Sequence, residues 1–591
     1  MKTFEIKKSF MLNGEPFKII SGAIHYFRIL PSDWHHSLYN LKALGCNTVE
    51  TYIPWNIHEP SEGNYCFENN LDIVRFVKLA QELDLFVILR PTPYICAEWE
   101  FGGLPAWLLK YRNMKIRTSD ESFIEKVDNY YKHLIPLLTP LEITNGGPVI
   151  MMQVENEYGS FGNEKKYLLD IMNLMLKYGV TVPLFTSDGP WEATQSSGGL
   201  VEHGVLSTGN FGSKSKLNFD DLQKEHKKHN KEWPLMCMEF WDGWFNRWNE
   251  AIIRRDAEDL AKDVSELLEL GSINFYMFHG GTNFGFMNGC SARGRMDLPQ
   301  ITSYDYDAIL NEQGNPTDKF YALQKAIKDV VPNVKQFEPL IKDSMKIENI
   351  KLNRKVSLFS VLDEIGTSVK SNYPITMEDL DSPYGYTLYR TTIENNRPEE
   401  KLKVIDASDR INVFLDEKFI TTQYKDEIGT EILINPANRT AKVDVLVENL
   451  GRVNYGYKLF ADSQRKGIRT GVMVDLHFIS SWENISLDFN KVNDIDFSKE
   501  WTENTPSFYE YTFDCDSVKD TFIDLSKFGK GCVFVNGFNL GRFWNVGPTL
   551  SLYLPKALLK EKNNSIIIFE TESIFNDSLT LLDRPLFKEM N

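Results

Sequence analysis

Two glutamates, Glu155 and Glu157, follow the apolar run Val149 to Met152 in the stretch MMQVENEYGS, with Asn156 between them. A carboxylate at the end of a buried run is either tied into a structural network or used for chemistry. The pattern recurs: Glu98 and Glu100 follow FVILRP in PYICAEWEFGG, and Glu239 sits among aromatic residues in MCMEFW. The chain shows no H-E-x-x-H, P-loop, strand-to-helix G-x-G-x-x-G or G-x-S-x-G motif. Carboxylates interleaved with aromatics, and no cofactor or metal motif, suit cleavage of a glycosidic bond. One carboxyl group protonates the leaving oxygen, and the other attacks the anomeric carbon or activates water. Glu155 and Glu157 are neighbours on one strand and cannot easily face each other across a substrate, so one of them needs a partner such as Glu239. Both would point the same way along a regular strand, so periodicity does not say which one it is.

The elements that must position these groups alternate along the first 330 residues. Eight short apolar runs can be counted: 17–27, 47–55, 86–91, 148–157, 183–188, 205–211, 234–241 and 272–281. Between them lie helical patterns such as NLDIVRFVKLAQELD and DAEDLAKDVSELLELG, with apolar residues recurring at three and four positions. Repeated βα units predict a (β/α)8 barrel, an α/β fold whose strands are buried on both faces and whose site lies at their C-terminal ends. A doubly wound open sheet is the rival topology. The polar clusters all fall at predicted strand ends, which in a closed barrel converge on one crevice.

After about Val331 the period shifts towards two, as in KLKVIDASDRINVFLDEKF, with Asn and Gly at turns. This predicts two all-β sandwich or jelly-roll domains. The expected division is 1–330 for the barrel, 331–394 as a linker and first part of the C-terminal all-β domain, 395–504 as an all-β domain, and 505–591 as a jelly-roll-like domain. One β-domain could be inserted in the other, because the segment after 331 and the final 85 residues could pair as one module. Asn536-Gly537 marks a hairpin.

Composition excludes several classes. The 591 residues are 42% hydrophobic and 25% charged, as in ordinary globular proteins, and carry a net charge of −17. Such an acidic chain does not suit a nucleic-acid backbone, and no apolar window is long enough to span a bilayer. The N-terminal MKTFEIKKSFMLNGEPF reads as a strand and a turn rather than a signal peptide. Seven scattered cysteines without a C-x-x-C pair point to a reducing cytoplasm; display at the surface by a route without a leader is the alternative.

Six motifs in one order, ETYIPWNIHEP, PYICAEWEFGGLPAWL, QVENEYGS, MEFWDGWFNRW, YMFHGGTNFGF and TSYDYDA, resemble the glycoside hydrolase family 35 β-galactosidases, in particular their compact bacterial members. The tail segments GRVNYGYKLFADSQRKGI and NGFNLGRFWNVGPTLSLYLP extend the likeness over essentially the whole chain. The resemblance implies a retaining mechanism with Glu157 as acid/base and Glu239 as nucleophile, and Asn156 bound near the sugar 2-hydroxyl. It further implies that Tyr52, Cys96, Ala97 and Glu98 hold galactose hydroxyls, that Tyr276 and Tyr306 line the pocket and that Trp244 floors it. Trp241 is open between core packing and a stacking face for a second sugar. Glu155 reads as a partner for an arginine or for backbone donors behind the site. His25, His58 and His279 read as hydrogen-bonded wall residues, because their spacing gives no coordination set. The implied substrate is a β-galactoside oligosaccharide, with β-1,3 linkages preferred. No cofactor or metal is expected, a homodimer is the assembly considered, and Asn454 to Tyr457 are expected at the leaving-sugar wall.

Overall fold

The computed structural model describes residues 2–394 and 397–590. The expected boundary at 395 and the terminal residues 1 and 591 lie outside the described residues.

Eight parallel strands close into a barrel: β1 (Ile20–Ile24), β2 (Thr48–Tyr52), β3 (Phe86–Arg90), β4 (Val149–Gln153), β5 (Leu184–Asp188), β6 (Leu206–Asn210), β7 (Met236–Trp241) and β8 (Ser272–His279), with β8 pairing back onto β1. The open-sheet rival is thereby excluded. Each strand is covered by its own helix: α1 (Trp34–Leu44), α2 (Ile73–Glu82), α3 (Glu121–Leu138), α4 (Lys165–Lys177), α5 (Glu192–Gly198), α6 (Ser215–Lys228), α7 (Ala257–Leu270) and α8 (Asp318–Val330). Burial on both faces explains why the strands read as continuous apolar runs.

The helices follow local rules. In α2 the buried residues Ile73, Phe76, Val77 and Ala80 recur at three and four positions, and the Asp72 side chain caps the start by accepting from the Arg75 N–H at 2.8 Å. Truncation of Phe76, fully buried, would cost about 3–5 kcal/mol. Asp256 caps α7 in the same way, accepting from Glu258 and Asp259. The N-terminal segment forms three short antiparallel strands, Phe4–Ile6, Phe10–Leu12 and Glu15–Pro16.

Beyond the barrel the chain is all β apart from short helical turns. A six-stranded and a four-stranded sheet face each other over a core that includes Tyr389 and Val445 from the first and Val404 and Val472 from the second. An eight-stranded sheet folds over its own core, where Leu540 from one end of the strand order meets Leu552 from the other. The span 331–394 divides between these units. Ile347–Ser357 pairs antiparallel with both Ser507–Phe513 and Ser578–Leu582, whereas Gly366–Ser371 and Tyr386–Glu394 join the six-stranded sheet. The Asn536-Gly537 turn joins Lys530–Val535 to Phe538–Trp544, with both turn residues at positive φ (50° and 87°), as a two-residue hairpin of this kind requires. No helix among the described residues is long and apolar enough to cross a membrane.

Candidate active site

At the C-terminal end of the barrel a cavity of about 340 Å³, of a size for a small ligand, is lined by Cys96, Ala97, Glu98, Asn156, Glu157, Glu239, Trp241, Trp244, Tyr276 and Tyr306. Ten of the eleven residues expected at the site therefore share one wall. Tyr52 does not; it is fully buried behind the wall and donates its hydroxyl to Glu239 Oε1 (2.7 Å) or Asn156 Oδ1 (2.9 Å). One phenolic proton cannot serve both, and the carboxylate is the stronger acceptor.

The two glutamates after β4 are separated by backbone geometry. The strand stops at Gln153, and Glu155 and Glu157 both take left-handed conformations (φ 51° and 45°), so the regular alternation expected through residue 157 is broken. Glu155 turns into the protein, where Arg117 holds both of its oxygens at 2.8 and 2.9 Å and Tyr167 donates to it at 3.1 Å. Glu157 turns into the cavity and accepts from Asn210 Nδ2, at the end of β6, at 2.8 Å. Non-glycine residues in this region of φ/ψ space cost energy and persist where the surroundings over-determine them. Here Ser187 O accepts from the Glu157 N–H at 3.1 Å and Asp188 Oδ1 accepts from the Gly159 N–H at 2.7 Å, so β5 fixes the turn.

Glu239, at the end of β7, has a different environment. The buried Arg90 guanidinium at the end of β3 lies 2.7 Å from Glu239 Oε1, and Trp241 Nε1 approaches Oε2 at 3.4 Å. Arg90 also contacts Glu50 at 3.7 Å, donates to Asn156 Oδ1 at 2.8 Å, and stacks over the Tyr52 ring at 3.9 Å. With Asn156 Oδ1 occupied by Arg90 and Gln153, its amide nitrogen is oriented towards Ile95 O and the cavity.

Electrostatics separate the pair further. Burial, and then the negative charge of Glu239, push the Glu157 carboxyl up to about 7. Two carboxyl groups in one cavity, one beside a buried cation and the other beside a neutral amide, keep a proton on the second up to near-neutral pH. Such a pair can present a nucleophile and an acid together.

The remaining wall is built from loops. Cys96, Ala97 and Glu98 are three consecutive left-handed residues (φ 58°, 49° and 49°). Arg28 Nη2 holds the Ala97 carbonyl at 2.5 Å while its guanidinium lies 3.7 Å over the Tyr304 ring. Tyr304 donates to Glu98 Oε2 at 2.5 Å, and burial pushes Glu98 up to about 7. Burial likewise raises the Cys96 thiol, whose sulfur accepts from Asn454 Nδ2 at 3.5 Å, so it is a protonated wall group rather than a reactive thiolate. Trp241 and Trp244 meet edge to face at 5.7 Å, as do Tyr276 and Tyr306 at 5.6 Å.

Asn454 and Tyr455 lie in the loop between the six-stranded and four-stranded sheets, and both line the cavity. Arg452, fully buried, bridges Glu100 of the barrel and Glu378 of the β-module, and Gln300 donates to Asn454 Oδ1 at 3.1 Å. Tyr457 points elsewhere, donating to Gly294 O at 2.6 Å. The three histidines are dispersed: His58 meets Tyr26 and Cys66 O, His279 meets Ser37 and Glu312 O, and His25 meets Arg28.

Arg90, Asn210, Arg28 and Tyr304 were not singled out from the sequence. A signal existed for two of them. Arg90 ends FVILR and Asn210 ends LSTGN, polar groups closing buried strands just as the glutamates do. Nothing local marks Arg28 or Tyr304, whose roles come from contacts across the barrel.

The likeness to known proteins bears on the same residues. The family described as "Glycosyl hydrolases family 35" matches residues 9–330, "Beta-galactosidase, first all-beta domain" matches 374–488, and "Beta-galactosidase, galactose-binding domain" matches 506–564. "Beta-galactosidase 1" of Dictyostelium discoideum is 37% identical over 97% of this chain and 90% of that protein. "Beta-galactosidase-1-like protein 3" of Homo sapiens is 39% identical over 98% and 88%. "Beta-galactosidase" of Xanthomonas manihotis is 38% identical over 92% and 90%. A match over more than half of the chain, and relatives of this identity along nearly its whole length, make the chain a glycoside hydrolase belonging to glycosyl hydrolases family 35.

Proposed function

We propose that this enzyme is an exo-acting, retaining β-galactosidase that removes terminal β-linked galactose from oligosaccharides, preferring β-1,3 linkages of the Galβ1-3GlcNAc type. The single observation that carries the mechanism is the asymmetry of the pair, with Glu239 against Arg90 and Tyr52, and Glu157 raised to about 7 beside one neutral amide. Glu239 attacks the anomeric carbon as the Glu157 proton passes to the glycosidic oxygen, and the leaving sugar departs. Glu157, now a carboxylate, takes a proton from water, which attacks the galactosyl ester and releases galactose with its configuration retained. This chemistry calls for carboxyl groups about 5–5.5 Å apart.

Asn156, through its amide nitrogen, is assigned to the 2-hydroxyl, and Glu98 to hydroxyls on the far side of the ring. An ionisable acceptor there discriminates, because an epimer lacking the matching hydroxyl leaves it unpaired. Trp244 is assigned to the floor, with Tyr276 and Tyr306 around it. The names of the relatives support galactose as the sugar, and the β-1,3 preference is supported by the resemblance to the compact bacterial branch. Action in a reducing cytoplasm is supported by seven cysteines free of disulfides; activity recovered only from an extracellular fraction would refute it.

A proton NMR time course with equal Galβ1-3GlcNAc and Galβ1-4GlcNAc tests the reading. It expects β-galactose first and the 1-3 compound consumed first. First appearance of the α-anomer would remove Glu239 as nucleophile, and equal consumption would remove the linkage preference alone.

A further inference from the structure

Among the aromatic residues of the cavity, Trp191 is the most exposed. It is 58% exposed, against 47% for Tyr455 of the β-module and 3% and 2% for Tyr276 and Tyr306, and it lines the same cavity as Glu157. An exposed tryptophan is unremarkable on a protein surface; one held against a cavity that also contains Glu157 and Glu239 is a candidate ligand contact.

The hold is visible in the backbone. Trp191 follows β5 in the sequence Asp188-Gly189-Pro190-Trp191, and its ring lies against the Gly189 backbone so closely that a Cβ at Gly189 would come within 2.2 Å of a ring carbon. Thr194 Oγ1 donates to Gly189 O at 2.6 Å or to Trp191 O at 2.9 Å, and Gln195 donates from its backbone N–H to Trp191 O (3.0 Å) and from Nε2 to Gly189 O (3.0 Å). One face of the indole is thus packed on glycine and the loop beneath it is pinned. An aromatic fixed in this way stacks a ligand at little further entropic cost.

The side of the cavity follows from the barrel. β5 is the neighbour of β4 and hydrogen-bonds the Glu157 turn through Ser187 and Asp188, while Glu239 lies on β7, two strands further round. Glu157 delivers its proton to the glycosidic oxygen, so the group carried by that oxygen departs on the Glu157 side. We infer that Trp191 is the stacking platform for the leaving sugar, receiving the C–H face of the second saccharide unit and setting the preference for a sugar over a smaller leaving group. This rests on the reading of Glu157 as the acid.

The test compares Galβ1-3GlcNAc with β-galactosyl fluoride, whose leaving group has no ring to stack. For Trp191→Ala the ratio of kcat/KM on the disaccharide to that on the fluoride falls about tenfold, mainly through KM, as expected for the loss of one stacked aromatic face. Gly189→Ala, whose new Cβ displaces the indole, lowers the ratio in the same direction, and Trp191→Phe restores most of it. An unchanged ratio in Trp191→Ala overturns the platform, and so does an equal loss on both substrates, which marks a merely structural role. If the unaltered enzyme leaves the fluoride intact, the galactosidase reading itself falls, and this inference falls with it.

Discussion

The wall that carries Glu239 and the wall that carries Glu157 use the same side chain in opposite ways. Glu239 is surrounded by a buried guanidinium, a phenol and an indole N–H, all aimed at its carboxylate oxygens. Glu157 receives one amide donor and otherwise faces burial and the neighbouring charge. In the proposed mechanism the nucleophile and the acid differ not in residue type but in which strand ends supply their neighbours: β2 and β3 for Glu239, β6 for Glu157. Two carboxyl groups with such unlike neighbours are what a double displacement needs.

The sharpest way to break the contrast is to neutralise Glu239, the proposed nucleophile. Glu239→Gln is expected to lose on the order of 10⁴-fold or more in kcat while melting as a single cooperative transition, and a near-normal rate would remove its assignment. Next in size is Arg90→Met, which strands Glu239 and Glu50 without their cation. Turnover should fall by about 10²–10³-fold, and denaturant titration should show a loss of about 3–5 kcal/mol, because removing one member of a buried ionic cluster leaves uncompensated charge. Retention of wild-type kinetics in that variant would mean that Tyr52 and Trp241 suffice.

Asn210→Ala sharpens the other side. The Asn210 amide favours the carboxylate form of Glu157, so its loss raises the Glu157 pKa further. The kcat/KM profile of the unaltered enzyme should fall on the alkaline side around pH 7, and in the variant that limb should move up. A limb that moves down, or stays, would show that Asn210 does not set the proton affinity.

The smallest effect is on stability. Glu157 has a folded pKa of about 7 against an ordinary 4.5, so between these values the folded state retains a proton that the unfolded chain has lost. Folding therefore loses stability as pH rises through this window. Glu157→Gln should leave the melting temperature unchanged near pH 4.5 and raise it by about 1–2 °C at pH 8. A gain of equal size at both values would point to packing rather than charge.

Much of the barrel was legible in the sequence. Eight apolar-rich runs became eight strands, because parallel strands buried on both faces carry few charged residues, and α2 and α7 were legible in the three- and four-residue recurrence of Phe76, Val77, Ala80, Leu260, Val264 and Leu267. The distinction between Glu155 and Glu157 was not legible from periodicity, because it depends on two left-handed residues that end the alternation at Gln153. Tyr52 was expected among the sugar-binding residues; its hydroxyl donates towards Glu239 from behind the cavity wall, a placement that a position at a strand end does not reveal.

By itself, the sequence determined the succession of βα units, the change to period two after residue 331, and the motifs that carry the family. It did so because these are local patterns or linear strings. Only the tertiary structure decided that Arg90 faces Glu239, that Asn210 meets Glu157, that Arg452 and Asn454 of a β-module close the wall of a barrel cavity, and that Ile347–Ser357 completes a sheet with Ser507–Phe513. Each of these joins residues 53 to 358 positions apart. No local propensity encodes such a pairing; it exists once the barrel has closed and burial forces each charge to find a partner.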